Sequence, residues 1–306
     1  MTSYVLRRIG EMLTALVLMS MIIFALGRLT GDPVALLLGD YATEQDRIEL
    51  VRQLGLDRPL PQQYAVFAAA ALRGDLGRSV SGDQRPALSI VLERLPASLQ
   101  LATVALLLSL LIGLPLGVLA AVRRGTAVDA GARLAALLGQ SVPAFWLGIV
   151  LMFLFSVRLG WLPTSGSGSW QHLVLPALTM ALFTAAAVTR LVRVSMIDAL
   201  SSDYVRLARL KGLSEARVVW HHALRNSLIP VVTYLGAFFA TMITGAVVIE
   251  TVFAWPGIGR LAYEAILNRD FPVMQAVVLT ITVLFMLANL GVDIAYAWLD
   301  PRIRRQ

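Results

Sequence analysis

The chain has no cysteine, a single lysine (Lys211), three histidines (His172, His221 and His222), and only 15% charged residues among its 306 positions. Each scarcity closes off a class of chemistry. Without cysteine there is neither a disulfide framework nor a thiolate metal site. A P-loop needs Gly-Lys-Ser/Thr because its lysine reaches the terminal phosphates. Lys211 follows Leu210, so the chain carries no such loop. No His-Glu-x-x-His occurs, which removes that zinc-protease signature. His221 and His222 are adjacent and diverge on a helix, so a surface role is expected rather than a joint metal site. The Ser165-Gly166-Ser167-Gly168-Ser169 run reads as a small, flexible turn, not a reactive loop. No catalytic residue, metal-ligand set or bound cofactor is therefore expected.

What is abundant is apolar surface. Hydrophobic residues make up 58% of the chain, where a soluble domain has roughly 45–50%, and the mean hydropathy is +0.74. A soluble fold would need a core too large for its surface, so the composition defines a membrane protein. Six segments are long enough to span: 9–29, 97–122, 134–159, 172–194, 228–254 and 275–299. A bilayer core needs about 20 helical residues, and backbone groups in lipid must bond to one another, so the expected fold is all-α and polytopic with six transmembrane helices. The first run is longer than a signal core of about 7–15 residues, which predicts a retained span rather than a cleaved leader. No internal repeat is visible, which argues against carriers built from duplicated halves.

Arginine placement predicts orientation. Arg7 and Arg8 precede the first span, Arg123, Arg124 and Arg133 flank the second loop, and Arg206, Arg209, Lys211, Arg217 and Arg225 fill the fourth. Arg302, Arg304 and Arg305 follow the last span. The third loop, 160–171, is uncharged, and in the fifth Arg260 and Arg269 are balanced by Glu264 and Asp270. Positive charge alternates, so both termini are expected on the cytoplasmic side. The long first loop is external. Within it Ile48, Val51 and Leu54 are at helical spacing before a capping Gly55, and Pro61–Arg73 reads as another short helix. This external element either touches a soluble partner or packs as a lid on the helix ends.

The basic stretch from Tyr204 to Pro230 is the one long amphipathic segment between apolar blocks. Ile197, Leu200, Tyr204, Leu207 and Ala208 follow three-and-four spacing and predict one apolar face. Ser202 or Asp203 caps the first helix, Gly212 ends it, and Ser214 caps a second helix opened by Glu215 and running to about Asn226. Pro230 then marks entry into the fifth span. A helix bent at a glycine and studded with arginine suits a groove on a soluble partner; it equally suits anionic headgroups.

Ionisable groups within spans are functional candidates by default. Glu250, Asn289 and Asp293 are the possible pathway or vestibule groups. Glu250 is placed near the outer end of the fifth span, where it can meet a charged substrate terminus. Asp293 suits a helix–helix hydrogen bond, with Asn289 one turn before it. Arg190 and Arg193 are expected to snorkel, and Glu11 to pair with Arg7 or Arg8. Gly113, Pro115, Gly117, Pro143, Gly148, Gly236 and Gly245 permit close packing or bending. Pro176 falls in the first turns of its span, where a missing donor costs little.

Several short motifs, in order along the chain, resemble one family. They are Tyr4-x-x-Arg7-Arg8, Gly31-Asp32-Pro33, Leu54-Gly55-Leu56-Asp57 and Gly74-Asp75-Leu76-Gly77. They continue with Ser141-Val142-Pro143-Ala144-Phe145-Trp146, Val252-Phe253-x-x-Pro256-Gly257-x-Gly259, Arg269-Asp270 and Leu299-Asp300-Pro301-Arg302. The basic stretch is similar to the "EAA" loop of binding-protein-dependent ABC importer permeases. Arg206, Leu207 and Ala208 occupy the triplet and Gly212 the glycine; Ala208 and Gly212 match, while Arg206 and Leu207 depart from it as in the peptide-permease branch. The chain thus resembles the B-type membrane subunit of oligopeptide, dipeptide and nickel permeases, over essentially its whole length.

The resemblance implies a type I importer (MetI-like) fold in a bacterial inner membrane. It implies an N-terminal span over 1–30, an external region over 31–96, a permease domain over 97–300 with its coupling loop at 197–227, and a tail over 301–306. It implies alternating access driven by partners: a second related permease, two cytoplasmic ABC ATPase subunits that bind ATP and Mg, and an external solute-binding protein. Coupling would fall to Tyr204, Arg206, Leu207, Ala208, Arg209, Lys211, Gly212, Leu213 and Ser214. Relatives of this kind carry peptides, nickel chelates, glutathione or haem, with selectivity resting largely on the binding protein. Two other classes have different signatures. A passive channel or ion-coupled transporter would move solute without ATP and carry charge deep in its spans, at which only Asp293 and Asn289 hint. An intramembrane enzyme would pair reactive groups at one depth, and no such pair is found in the sequence.

Overall fold

The computed structural model describes residues 2–29, 43–53, 55–81 and 84–299. The Gly31-Asp32-Pro33 motif, Leu54, the stretch from Asp300 onward, the side chain of Asp293 and the burial of Gly245 lie outside what is described. Among those described, structure is helical apart from one isolated antiparallel bridge between Arg78 and Pro86. In chain order the helices are α1 (Thr2–Leu29), α2 (Glu44–Gln53), α3 (Leu60–Leu72), α4 (Ala87–Val122), α5 (Ala127–Ser141) and α6 (Ala144–Met152). They continue with α7 (Gln171–Leu200), α8 (Asp203–Leu210), α9 (Glu215–Arg217), α10 (Leu224–Val252), α11 (Ile258–Leu267) and α12 (Phe271–Leu299). Wide π turns extend α6 over Phe153–Arg158 and join α9 to α10 over Val218–Ala223. The chain divides into two compact units, Met1–Pro96 with Gly257–Leu287 and Ala97–Pro256 with Ala288–Gln306.

In the first unit, Arg7 and Arg8 both pair with Glu11, as their helical spacing predicts. The two short helices expected in the first loop form as α2 and α3. Thr43 and Asp46 make a reciprocal capping box: the Asp46 carboxylate accepts from the Thr43 backbone N–H at 2.8 Å, and the Asp46 N–H donates to the Thr43 hydroxyl at 3.3 Å. A further bond from the Thr43 hydroxyl, the largest influence, holds the Asp46 carboxyl below its ordinary range. Helix α3 lies on α1, with Phe24 edge-on to Tyr64 and the Tyr64 hydroxyl 2.8 Å from that of Ser20. Asp270 caps α12 by accepting from the Val273 N–H at 3.3 Å, and its other oxygen accepts from the Ser79 hydroxyl.

The second unit is organised around α7, the most enclosed of the span-length helices: 67% of its apolar window is buried, against 11% for α1. Its buried threonines, Thr179, Thr184 and Thr189, each donate to a carbonyl one turn back and so bury no unsatisfied hydroxyl. Helix α4 meets α7 at two glycines. A Cβ on Gly113 would stand 2.8 Å from Val188, and one on Gly117 would stand 2.6 Å from Val192. This is small-residue packing, by which helices gain van der Waals contact where lipid offers no hydrophobic drive.

Among the described residues four helices are long and apolar enough to cross a membrane, and up to six crossings result if each of two bent pairs counts as one. The expected continuous helix over 134–159 is corrected: it is two helices, α5 and α6, turned by 101°. Pro143 supplies the reason, because it lacks an N–H and drives the preceding residue out of the helical region; Val142 is extended at φ −83°, ψ 126°. The expected stop before the fifth span is also corrected. Helix continues from Glu215 through the π turn into α10, with Pro230 inside it and a bend of 40° between Gly236 and Thr241.

Candidate functional site

The basic stretch folds as a corner. Helix α8 ends at Gly212, whose φ is +76°. The Gly212 N–H donates to the Arg209 carbonyl at 2.9 Å and the Leu213 N–H to the Ala208 carbonyl at 3.4 Å, the two bonds of a Schellman cap. A Cβ at position 212 would meet nothing within 4 Å. The demand for glycine is therefore conformational rather than steric, and a left-handed residue with a side chain costs roughly 1–2 kcal/mol.

Of the expected apolar face, Ala208 is buried and Ile197 and Leu200 pack against the core, whereas Tyr204 and Leu207 do not. Val205 and Ala208 are buried with Val118 and Ala121 of α4, Val188, Val192 and Met196 of α7, and Val218, Val219 and Ala223 of the π turn. Tyr204, Leu207 and Leu210 are instead 40%, 52% and 79% exposed, beside exposed Arg206, Arg209 and Lys211. Leu213 is half-buried and Ser214 exposed. The inner face thus anchors the corner while the outer face presents an apolar and basic surface. Across the bend, Arg209 donates to both Glu215 oxygens, at 2.7 and 3.2 Å. That bond, most of all, raises the affinity of the guanidinium for its proton. Both side chains are solvated, so water screens the pair. Ser202 and Ser214 do stand at the N-cap positions, but neither side chain makes a capping bond. The Ser202 hydroxyl donates back to the Ala199 carbonyl, a local bond that competes with capping.

A second polar feature had no counterpart in the sequence reading. Asp129 at the start of α5 is 1% exposed, and Arg193 of α7 donates to its two oxygens at 2.6 and 2.8 Å. The Gly125 N–H adds a bond at 3.0 Å, and Arg133 stands 3.5 Å away. Arg193 is therefore an ion-pair partner and does not snorkel, whereas Arg190 is exposed. The helical spacing of Asp129 and Arg133 was legible; the pairing of residues 64 apart was not.

Of the expected pathway groups, Glu250 is fully enclosed, and the Ser98 hydroxyl donates to its carboxylate at 2.6 Å. Beside it the Trp255 indole donates to the Ala97 carbonyl at 2.9 Å, so two bonds tie the end of α10 to α4. Asn289 is half-buried on α12, and Asp293 lies one turn further along the same helix. His221 and His222 stand edge to face with ring centres 5.3 Å apart. Among the described residues no three His, Asp or Glu side chains gather as a metal site.

Membrane-length helices, with α7 buried among its neighbours and an exposed basic corner, define a polytopic membrane protein. The family model described as "Binding-protein-dependent transport system inner membrane component" matches residues 113–305, and the model of that component's N-terminal region matches 1–102. The chain belongs to this family, and is a multi-pass permease subunit of an ABC importer in a bacterial inner membrane. It is 43% identical over 306 residues to the glutathione transport system permease protein GsiC of Escherichia coli K12, covering 99% of both chains. It is 42% identical to the protein of the same description from Shigella boydii serotype 4, again over 99% of both. Its fold is shared with a chain of the inward-facing MetNI methionine ABC transporter at a TM-score of 0.58 and 19% identity, covering 69% of this chain and 96% of that one. A crystal structure of an amino acid ABC transporter with histidines matches at 0.52 and 14% identity, over 70% and 94%.

Proposed function

We propose that this permease moves short peptides or a related small solute inward, with a glutathione-like tripeptide as the leading candidate. Whole-length similarity to glutathione permeases supports that choice. Its working partners are a second related permease, two cytoplasmic ABC ATPase subunits and an external solute-binding protein. The carrying observation is the α8–Gly212–α9 corner: Val205 and Ala208 root it in the helices while Tyr204, Leu207 and Leu210 face outward among Arg206, Arg209 and Lys211. On this reading the ATPase cleft receives the exposed face, and closure of the ATPases on ATP rocks the spans. Ala208, Gly212, Leu213 and Ser214 hold the bend in the shape the cleft takes.

Both termini lie on the cytoplasmic side in this proposal, which the alternation of arginine across the loops supports. The division into a first span over 1–30, an external region over 31–96, a permease domain over 97–300 and a tail over 301–306 belongs to the same reading. Asn289 and Asp293 are its pathway groups, and Glu250 joins them in a conformation that parts α10 from α4.

The absence of cysteine makes the test clean, since Leu207→Cys would be the chain's sole thiol. With a single cysteine in the ATPase cleft, cross-linking in the purified complex is expected, at a yield that changes when ATP is bound. No cross-link from any cleft position would refute docking at this corner. Reconstituted with its partners, the complex should take up glutathione or short peptides only with ATP. Uptake without ATP would return the chain to the channel or ion-coupled class.

A further inference from the structure

The first unit contains a cavity of about 380 Å³ whose lining is both basic and aromatic. Arg28, from the end of α1, and Arg78 line it together with Phe24, Phe67, Phe271 and Val80. No carboxylate lines it, and neither arginine forms an ion pair among the described residues. A cavity lined by two guanidinium groups without ion pairs among the described residues, one of them 5.3 Å from the Phe24 ring centre, and by further phenyl rings selects an amphiphile of negative charge.

Its depth identifies the kind of amphiphile. The spanning part of α1 runs from Arg7 to Arg28, 22 residues, or roughly 33 Å at helical rise, close to the ~30 Å hydrocarbon core of a bilayer. Arg28 therefore stands at headgroup level, and Phe24, one turn before it, about 6 Å deeper among acyl chains. Helix α3 continues this apolar surface at the same end. It carries no charged residue, buries none of its side chains, and exposes Leu60, Val66 and Leu72 while Tyr64 reaches down to Ser20. A polar cavity floor in water would not need such a wall, and a free anion would gain nothing from it.

We propose that this cavity binds a phospholipid of net negative charge, its phosphate between Arg28 and Arg78 and the start of its acyl chains against Phe24, Phe67 and Phe271. Arginine matches phosphate through paired, charge-assisted hydrogen bonds, and the phenyl rings exclude water from the bond. The bound lipid fixes α1, α3 and the first turn of α12 to one another. Assignment to the outer leaflet rests on the topology proposed above; the chemistry of the site does not.

Native mass spectrometry of the purified importer in detergent tests the site without any transport measurement. The complex is loaded with phosphatidylglycerol, with phosphatidylcholine of the same chains, or with sn-glycerol 3-phosphate. Phosphatidylglycerol is expected to remain bound under activation that strips phosphatidylcholine. Arg28→Gln with Arg78→Gln should weaken retention about tenfold, the size expected for one lost charge-assisted hydrogen bond. Val80→Trp fills the cavity, keeps both arginines, and should cause a similar loss, which separates occupancy from misfolding in the arginine variant. Equal retention of the two lipids, or retention unchanged in both variants, would overturn the proposal. Displacement of phosphatidylglycerol by equimolar sn-glycerol 3-phosphate would also overturn it, by showing a site for free phosphate rather than lipid.

Discussion

The Arg193 guanidinium grips both oxygens of Asp129, at 2.6 and 2.8 Å, and so fastens the start of α5 to the later turns of α7. Two helices that apolar packing alone would leave free to slide are registered by one two-pronged bond.

Removing Arg193 leaves the buried Asp129 carboxylate with only the more distant, exposed Arg133 at 3.5 Å, which is worse than removing both partners. Arg193→Met should sharply reduce the yield of folded, extractable subunit, and Asp129→Leu with Arg193→Met should recover much of it. Arg193→Lys should restore charge but not the two-pronged geometry and fall between the two. Fluorescence-detected size exclusion in mild detergent would rank the four proteins. Equal yields would show that the pair contributes nothing to the fold.

Substitution at Gly212 separates conformation from charge. Asparagine tolerates the left-handed region better than other residues with side chains, so Gly212→Asn should retain most of the solute-stimulated ATPase activity. Gly212→Val should lose most of it through backbone strain of roughly 1–2 kcal/mol or more. Gly212→Asp fits the backbone almost as well as asparagine but puts a negative charge beside Arg209 and Lys211. It is expected to insert normally and uncouple ATP hydrolysis from uptake. Normal transport by the aspartate variant would remove this corner from the coupling path.

Glycines of the second unit differ in what they tolerate. Gly117→Ala would place a methyl 2.6 Å from Val192 and 2.8 Å from the Thr189 carbonyl, and such overpacking costs roughly 1–3 kcal/mol. Gly131→Ala, on α5 with nothing within 4 Å, should be neutral or stabilising. Thermal inactivation of the two purified variants makes the comparison, and a Gly117→Ala protein as stable as the parent would mean that α4 stands off α7.

Glu250→Gln keeps an acceptor for the Ser98 hydroxyl, so the amount of folded subunit should be unchanged. Uptake of solutes with a charged amino terminus should fall relative to uptake of those without one. Identical uptake across both sets would confine Glu250 to holding α4 against α10.

Long apolar helices were legible because a run that satisfies its own backbone bonds in lipid needs little else to define it. The turn at Pro143 was flagged only as a place that permits bending. Apolar residues continue on both sides of it, so hydropathy could not show that the chain turns through 101° there. Gly212 announced the corner, since a left-handed stop has few other residues to choose from. Of its expected face, Ala208, Ile197 and Leu200 do pack inward, while Tyr204 and Leu207 are exposed and Val205 is buried in their place. Spacing alone could not separate them, because exposed apolar residues break the rule that apolar means inside. Arg209–Glu215 and Asp129–Arg193 depend on how helices are placed after the chain turns, which spacing along the sequence does not encode.

The run from α9 through the π turn into α10 is unbroken as far as Gly236, and it makes the corner the short arm of a bent crank. From Leu224 to Gly236 the helix is about 20 Å of rod. A tilt of some 6° at one end sweeps the other by roughly 2 Å over that length. On the proposed coupling, a push on an exposed leucine at the corner would reach the 40° bend as displacement, with no chemical step in between.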